Sequence, residues 1–279
     1  MSDQEEKEVE LSSGELASLH AIQVDILNEI VRICEINDLQ YFLIGGTLLG
    51  AVRHGGFIPW DDDLDIVMPR DDYETFLEIC SQQLKGSYLL DWYGTNPKYW
   101  LPYAKVRKVN TIYELESQVG LEGVPKGVWV DVFPLDNIVP RKCIQAIQGF
   151  LFREIRFYIR AKQLNQKSNL RWRRNLQLFY PPLSVERLFR IMHGVMTFWN
   201  EKNCDHFVNF GSPYGVKKET IAKDKFFPPK ELVFEDYAYQ VPNDTHFILE
   251  RIYGNYHELP PLEQRVGHNP VRIDLNYEQ

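Results

Sequence analysis

The sequence predicts an α/β (α+β) fold followed by a basic, mostly helical section, and three observations predict it. A helix-period apolar stripe near the N-terminus gives way to short apolar runs at 41–44, 64–68, 88–91 and 129–133, interleaved with helical segments. Beyond Pro140 the strand-like runs stop and helical patterning continues to about Glu201. Carboxylates are threaded into two of the apolar runs, at Asp63, Asp65 and Asp131, where buried strands ordinarily carry none.

Each element has a local reason. Ser12 or Ser13 can cap a helix running to about Asn37, with Leu16, Leu19, Ile22, Ile26, Ile30 and Ile33 as its core-facing stripe and no further role. A strand at 41–44 meets Gly45-Gly46, and a short helix follows Thr47. After the strand at 64–68, Arg70-Asp71-Asp72 opens a helix to about Leu84, with Phe76, Ile79 and Cys80 inward. Tyr88–Asp91 reads as a strand, and the stretch from Tyr99 to Leu115 supplies two more around Val109-Asn110. Trp129–Phe133 is a strand buried on both faces except at Asp131. Pro181-Pro182 breaks the later helical section, a helix falls near Thr245–Tyr253, and Pro260-Pro261 starts an extended tail. The divisions that follow are a disordered N-terminus (1–11), an α/β core (12–140), a basic helical section (141–204) and a C-terminal section packing on the core (205–279).

The chemistry concentrates between Tyr41 and Arg70. On a strand, residues two apart point to one face, so Asp63 and Asp65 present paired carboxylates while Leu64 and Ile66 face the core. Such a pair suits Mg²⁺, which takes one or two protein carboxylates and leaves positions for substrate phosphates. Gly45 and Gly46 let the backbone approach a phosphate, and the helix N-terminus beyond them favours negative charge. The competing reading is a solvated acidic turn. Asp131 lies between Val130 and Val132, where a charge is costly unless it is paired or binds a metal. It is a metal ligand or general base, with a structural ion pair as the alternative.

Composition narrows the classes further. With 44% hydrophobic and 25% charged residues, 279 residues suffice for a sizeable core, and no apolar run reaches the roughly 18 residues of a membrane span. The acidic N-terminus is unlike a signal peptide, which predicts a cytoplasmic protein, peripheral on the inner face of the membrane if it docks there. Cys34, Cys80, Cys143 and Cys204 make no CxxC pair, so they read as reduced thiols and not as a zinc knuckle. The net charge of −8 hides an asymmetry: residues 141–200 carry twelve Lys or Arg against two Glu, leaving −18 elsewhere. Arginines interleaved with Phe, Tyr, Trp and Leu in that section suit contact with anionic lipid or a phosphorylated polymer, or internal pairing with the acidic remainder. Nucleic acid is not expected as a partner.

Gly-Gly, an Asp-x-Asp strand and a later isolated Asp strand resemble the nucleotidyltransferase superfamily, and GGTLLGAVRHGGFIPWDDDLDIVMPRDDY resembles the hallmark segment of the LicD family. YAKVRKVNTIYE at 103–114, PKGVWVDVFPLD at 125–136 and RIYGNYHELPP at 251–261 fit the same family. It includes bacterial phosphocholine transferases and is related to fukutin-type polyol-phosphate transferases. The resemblance implies a nucleotidyltransferase-like mixed sheet flanked by helices for the catalytic core, with the helical section 141–200 matching only in kind. It implies Mg²⁺ (or Mn²⁺) held by Asp63 and Asp65 on a donor diphosphate, with Asp131 completing the site and Asp61 assisting; Asp62 points away and matters least. Substrate contacts fall to Gly45, Gly46, Thr47, Arg53, Lys105, Arg107 and His268, with His54 a weaker candidate. The implied reaction moves a phospho-alcohol, phosphocholine first and ribitol or glycerol phosphate as alternatives, from a CDP-alcohol donor to a sugar hydroxyl of a lipid-linked cell-surface glycan, teichoic-acid or lipopolysaccharide precursor, releasing CMP. Trp60, Trp92, Tyr93, Tyr99, Trp100 and Trp129 are candidates for a choline cage. The rivals are a nucleotidyltransferase releasing pyrophosphate and a non-enzymatic metal-binding module, although DDDLD lacks the Gly turn and distant Glu of an EF-hand loop.

Overall fold

The computed structural model describes residues 11–164 and 183–275. The N-terminal segment expected to be disordered, apart from Leu11, lies outside the described residues, as do Pro181-Pro182 and nearly all of RWRRNLQLFYPPL.

Helix α1 (Ser13–Ile36) is started by a capping box: the Glu15 amide donates to Ser12 Oγ and the Ser12 amide donates to the Glu15 carboxylate. Its stripe, Leu19 to Ile33, lies against the sheet. Strand β1 (Phe42–Leu43) leads into α2 (Gly45–His54), which begins at the two glycines and not after Thr47. Strand β2 (Asp65–Pro69) and α3 (Arg70–Gln83) follow, then β3 (Tyr88–Asp91), β4 (Ala104–Lys108), β5 (Ile112–Glu114) and β6 (Trp129–Ile138). The basic section contributes α4 (Lys142–Gln163) and α5 (Val185–Met196). Next come β7 (His206–Val208), α6 (Val216–Glu219), β8 (Ile221–Ala222), the hairpin β9 (Lys230–Phe234) and β10 (Tyr237–Val241), α7 (Thr245–Tyr253) and β11 (Arg272–Asp274).

The main sheet runs β1-β2-β6-β4-β3, with β7 and β8 added through the second half of β6. The β2–β6 pair is parallel and the rest are antiparallel, so the sheet is mixed, and helices flank it. Strand β6 spans ten residues, twice what its apolar core suggested. Its first half pairs with β2 and β4, and its second half, including Asp136, pairs with β7. The two strands around Asn110 form as expected, but β5 does not fold back on β4. Asn110 takes a left-handed φ of 62°, and β5 pairs instead with β11 in the tail.

Two apolar clusters result. The larger joins α1, α2, α3, α7 and the main sheet. The smaller gathers Phe152, Ile159, Leu188, Phe189 and Met192 of α4 and α5 with Ile138, Val208 and Phe210. Among the described residues, no helix is long and apolar enough to cross a membrane. All four cysteines are free thiols, with Cys34 and Cys80 buried.

Candidate active site

The sheet register brings the acids together. Asp65 on β2 is the parallel partner of Asp131 on β6, and Asp131 is the antiparallel partner of Lys105 on β4. Three residues far apart in sequence thus form one row across three strands. Just before β2, Asp61 and Asp63 turn into the same space, and all four carboxylates line a cavity of about 980 Å³.

Several groups hold this turn in place. Thr47 Oγ1 accepts from the Asp65 amide (2.8 Å), and the Asp131 amide donates to the Leu64 carbonyl (2.9 Å). From α1, His20 Nε2 lies 2.8 Å from the Asp61 carbonyl and Gln23 donates to the Asp62 carbonyl (2.9 Å). The stripe helix therefore does more than pack, because its polar flank pins the acidic turn. Gly45 and Gly46 stand directly against the acids: a Cβ at Gly45 would lie 3.0 Å from Asp65 Oδ2, and one at Gly46 only 2.5 Å from Asp61 Oδ2.

Electrostatics follow from crowding like charges. Burial, then repulsion from Asp63 and Asp62, pushes Asp61 up to about 8. Burial also raises Asp63, against the opposing pull of His268, and raises Asp65 well above the ordinary carboxylate range, with Asp63, Asp131 and Asp61 adding to it. Crowded oxygen donors of one sign fit a hard divalent cation such as Mg²⁺ or Mn²⁺, whose charge would offset that repulsion. Among the described residues, no three or more His, Cys, Asp or Glu side chains already form a ligand cage. The donor set therefore suits a cation held by few carboxylates, Asp63 and Asp65 first with Asp61 beside them, and completed by substrate oxygens or water.

Asp131 is both a paired charge and a cavity residue. Lys105 Nζ donates to its Oδ1 at 2.5 Å and sits 4.2 Å from the centre of the Trp129 ring. Burial lowers Lys105, opposed by Asp131. Neither Lys105 nor Arg107 lines the cavity. Arg107 is buried on Asp91 (2.7 Å) and the Gly127 carbonyl (2.8 Å), so its placement as a substrate contact is corrected: it is a structural ion pair. Thr47 is also corrected, being buried behind Asp65. Arg53 lines the cavity and donates to the Tyr256 carbonyl (3.0 Å) and to His54, which is exposed and outside it. Of the six proposed cage aromatics only Trp60 reaches the cavity.

Asp62 points away from the cavity, as expected, but is far from inert. It is 4% exposed and accepts from the Tyr113 hydroxyl (2.5 Å) and the His268 amide (2.7 Å), while His268 Nδ1 lies 2.9 Å from its Oδ1. Burial opposes its charge, yet these partners outweigh burial and hold Asp62 below its ordinary value. The hydrogen bond to Asp62 raises His268 to about 9, and His268 lines the cavity. Some cavity residues were missed in the sequence. Arg156 on α4 reaches in and lies 3.5 Å from the Gly211 carbonyl, yet nothing in the sequence sets it apart from Arg153 and Arg160 on the same helix. The turn-rich NFGSPYG at 209–215 was the one available hint for Asn209, Ser212 and Tyr214, with Glu219 just beyond.

Comparison with known proteins places this geometry. Residues 38–137 match the family described as "LicD/FKTN/FKRP, nucleotidyltransferase domain". Lipopolysaccharide cholinephosphotransferase LicD of Haemophilus influenzae is 28% identical over 256 residues, covering 88% of this chain and 92% of that protein. Human and mouse ribitol 5-phosphate transferase FKRP are each 46% identical over 58 residues, 21% of this chain and 11% of theirs. Asp61, Asp63, Asp65 and Asp131 all fall inside the matched domain, and the Haemophilus similarity extends well beyond it. Residues 38–137 of this chain are a nucleotidyltransferase domain of the LicD/FKTN/FKRP family.

Proposed function

We propose that the protein is a LicD-type transferase that moves a phospho-alcohol headgroup from a CDP-alcohol to a sugar hydroxyl of a cell-surface glycan precursor, releasing CMP. The observation that carries this reading is the paired register of Asp65 and Asp131, which joins two acids to Asp61 and Asp63 in one cavity. The relatives support the reaction class, since one is named for cholinephosphate transfer and the other for ribitol 5-phosphate transfer.

In this reading the acceptor oxygen attacks the distal phosphorus of the donor, the bond to the CMP oxygen breaks, and the acceptor's proton leaves to a base. A divalent cation on Asp63 and Asp65 supplies charge neutralisation at the phosphates. Asp131 takes the proton: Lys105 fixes its Oδ1 and leaves the other oxygen for the acceptor. Gly45 and Gly46 bring the start of α2 next to the acids, and Arg53 and Arg156 bring positive charge to the cavity for phosphate oxygens.

The lipid-linked form of the acceptor fits a second surface. Ile144, Ile147, Leu151, Ile191, Val195 and Phe198 line an apolar groove between α4 and α5, with Ile147 62% and Phe198 66% exposed. The surrounding section holds the excess of ten positive charges. We assign this face to an anionic bilayer surface, where apolar insertion and basic attraction act together. Flotation with phosphatidylglycerol vesicles that weakens with salt is the expected result; equal binding to neutral vesicles, indifferent to salt, would overturn it.

The function is tested by CMP release from CDP-choline, CDP-ethanolamine, CDP-ribitol and CDP-glycerol with a lipid-linked glycan acceptor, with Mg²⁺ or with EDTA. Metal-dependent CMP from one donor, reduced at least about a hundredfold in Asp63→Ala, is expected. Pyrophosphate release from a nucleoside triphosphate would instead mark nucleotidyl transfer, and full turnover by Asp63→Ala would remove the acids from the chemistry.

A further inference from the structure

The acidic turn has a support that does not belong to the main sheet. Strands β9 and β10 form a two-stranded sheet of their own, and Phe234 pairs with Tyr237, which leaves Glu235 and Asp236 as a two-residue turn. The base of this hairpin is tied to the core: the Tyr239 hydroxyl donates to Asn28 Oδ1 on α1 (2.7 Å), and the Gln240 amide donates to the Tyr41 hydroxyl (3.3 Å). Its tip reaches the loop between α2 and the acids. The Glu235 amide donates to the Gly55 carbonyl (2.9 Å), and the Phe57 amide donates to Glu235 Oε1 (3.0 Å). A Cβ at Gly56 would run into the same carboxylate, so the loop carries glycine where the Glu235 side chain crosses it.

From Phe57 the contact passes to Asp61. The Phe57 ring is held from one side by the fully buried Phe234, with centroids 4.8 Å apart at 60°. It stacks on the His20 imidazole, with centroids 3.8 Å apart and planes 1° from parallel. His20 Nε2 lies 2.8 Å from the Asp61 carbonyl; a carbonyl only accepts, so Nε2 carries the proton. Burial lowers His20, opposed by the Asp61 carbonyl and the Glu235 charge, which leaves the ring neutral. The Asp61 amide also donates to the Ile58 carbonyl (2.9 Å), closing the loop one residue beyond Phe57. Glu235 is the anomaly. It is exposed, and its φ of 54° is left-handed, a conformation that two-residue hairpin turns usually give to Gly, Asn or Asp. The turn itself gains nothing from a glutamate; the loop at 55–57 does.

We infer that the β9–β10 hairpin is a clamp on the cation-binding acids, and that Glu235 is a positioning residue that sets Asp61 through Phe57 and His20. The inference rests on the reading of Asp61, Asp63 and Asp65 as cation ligands, and adds to what holds them an element outside the matched family domain. The path runs through backbone and rings. Glu235 holds the Phe57 amide, Phe57 seats the imidazole, and the imidazole holds the carbonyl of the residue whose carboxylate faces the cavity. Partners behind a ligand tune a metal site by orienting that ligand. Glu235 itself does not line the cavity, so its effect on bound metal is indirect.

The test titrates Mn²⁺ into the full chain with saturating CDP, reads bound metal by electron paramagnetic resonance, and follows thermal melting alongside. In Glu235→Gly the backbone suits the turn and the carboxylate is gone. Melting like the parent's is expected, with Mn²⁺ affinity weakened about fivefold, short of the roughly tenfold or more that loss of a ligand's direct partner costs. Glu235→Gln keeps an oxygen for the Phe57 amide and restores the affinity. His20→Ala removes the direct partner of Asp61 and weakens binding by about tenfold or more. The double variant Glu235→Gly with His20→Ala binds no more weakly than His20→Ala, because both changes act along one path. Full affinity in Glu235→Gly, a loss that Glu235→Gln fails to restore, or losses that add in the double variant each overturn the inference and leave the cation reading standing. No Mn²⁺ bound by the unaltered chain removes the cation reading and the inference with it.

Discussion

Asp62 and His268 show how one carboxylate in a run of four acquires a different task from its neighbours. Asp61, Asp63 and Asp65 face the cavity, while Asp62 turns into the protein and fastens the tail through His268 and Tyr113. Because the folded His268 value rises from the ordinary 6.5 to about 9, its contribution to stability is complete below about 6.5 and disappears as the pH climbs through 9. Asp62 acts in the opposite limb: its lowered value gives stability present above the ordinary 3.8 and lost on further acidification. Melting curves of His268→Gln should therefore lack the decline expected of the parent between pH 6.5 and 9; an unchanged decline would separate His268 from it. Gly46 supports a second residue-level prediction. In Gly46→Ala the new methyl meets the end of the Asp61 side chain, which can swing away, so melting should shift by no more than about 1 kcal/mol. Activity should still fall about tenfold or more, because a displaced carboxylate no longer meets the phosphate geometry.

At the scale of elements, β6 carries two acids with unlike fates. Asp131 faces the cavity, whereas Asp136, five residues on, is fully buried and grips Arg70 through two bonds of 2.8 and 2.7 Å, with Asn200 adding a third. Asp136→Ala leaves the buried Arg70 guanidinium with only the half-exposed Glu74 (3.0 Å) and should destabilise the fold by about 3 kcal/mol, read by denaturant unfolding. The sequence marks Asp131 and Asp136 almost identically, as acids next to apolar neighbours. Only the elements packed around it distinguish an acid that lines the cavity from one sealed inside the fold. For the same reason Lys105 and Arg107 read as phosphate contacts, although β3 and β6 supply acids that occupy them. Helices α1, α3 and α7 were legible to within a residue or two because capping and 3.6-residue periodicity are local. The pairing of β5 with β11 was not, since it joins segments about 160 residues apart.

Across the whole molecule, the acidic floor was the most legible part of the cavity, and the walls were legible only in part. The floor is written in one continuous segment and one isolated strand, although only Asp65 of the segment sits on β2 and Asp61 and Asp63 turn in from the loop before it. The walls come from 252–268, where RIYGNYHELPP and His268 stand out in the sequence, and from α4 and 209–219, whose residues acquire meaning only when the chain closes. Arg156 is the clearest case, a cation on a basic helix that enters the cavity. Arg156→Ala should lower kcat/KM roughly a hundredfold, and Arg156→Lys should recover part of it; an effect confined to vesicle binding would return Arg156 to the membrane face.

The β5–β11 pairing has a consequence for how the site is assembled. Residues 38–137 are recognisable as a domain, yet the His268 that locks Asp62 arrives from the loop that leads into β11, and His20 and Gln23, which steady the same turn, arrive from α1. Holding the acidic turn in place therefore depends on contacts of high sequence separation, the kind whose closure slows folding. A chain that had already formed its sheet and aligned Asp65 with Asp131 would still lack the His268 contacts that fix Asp62 and the turn around it.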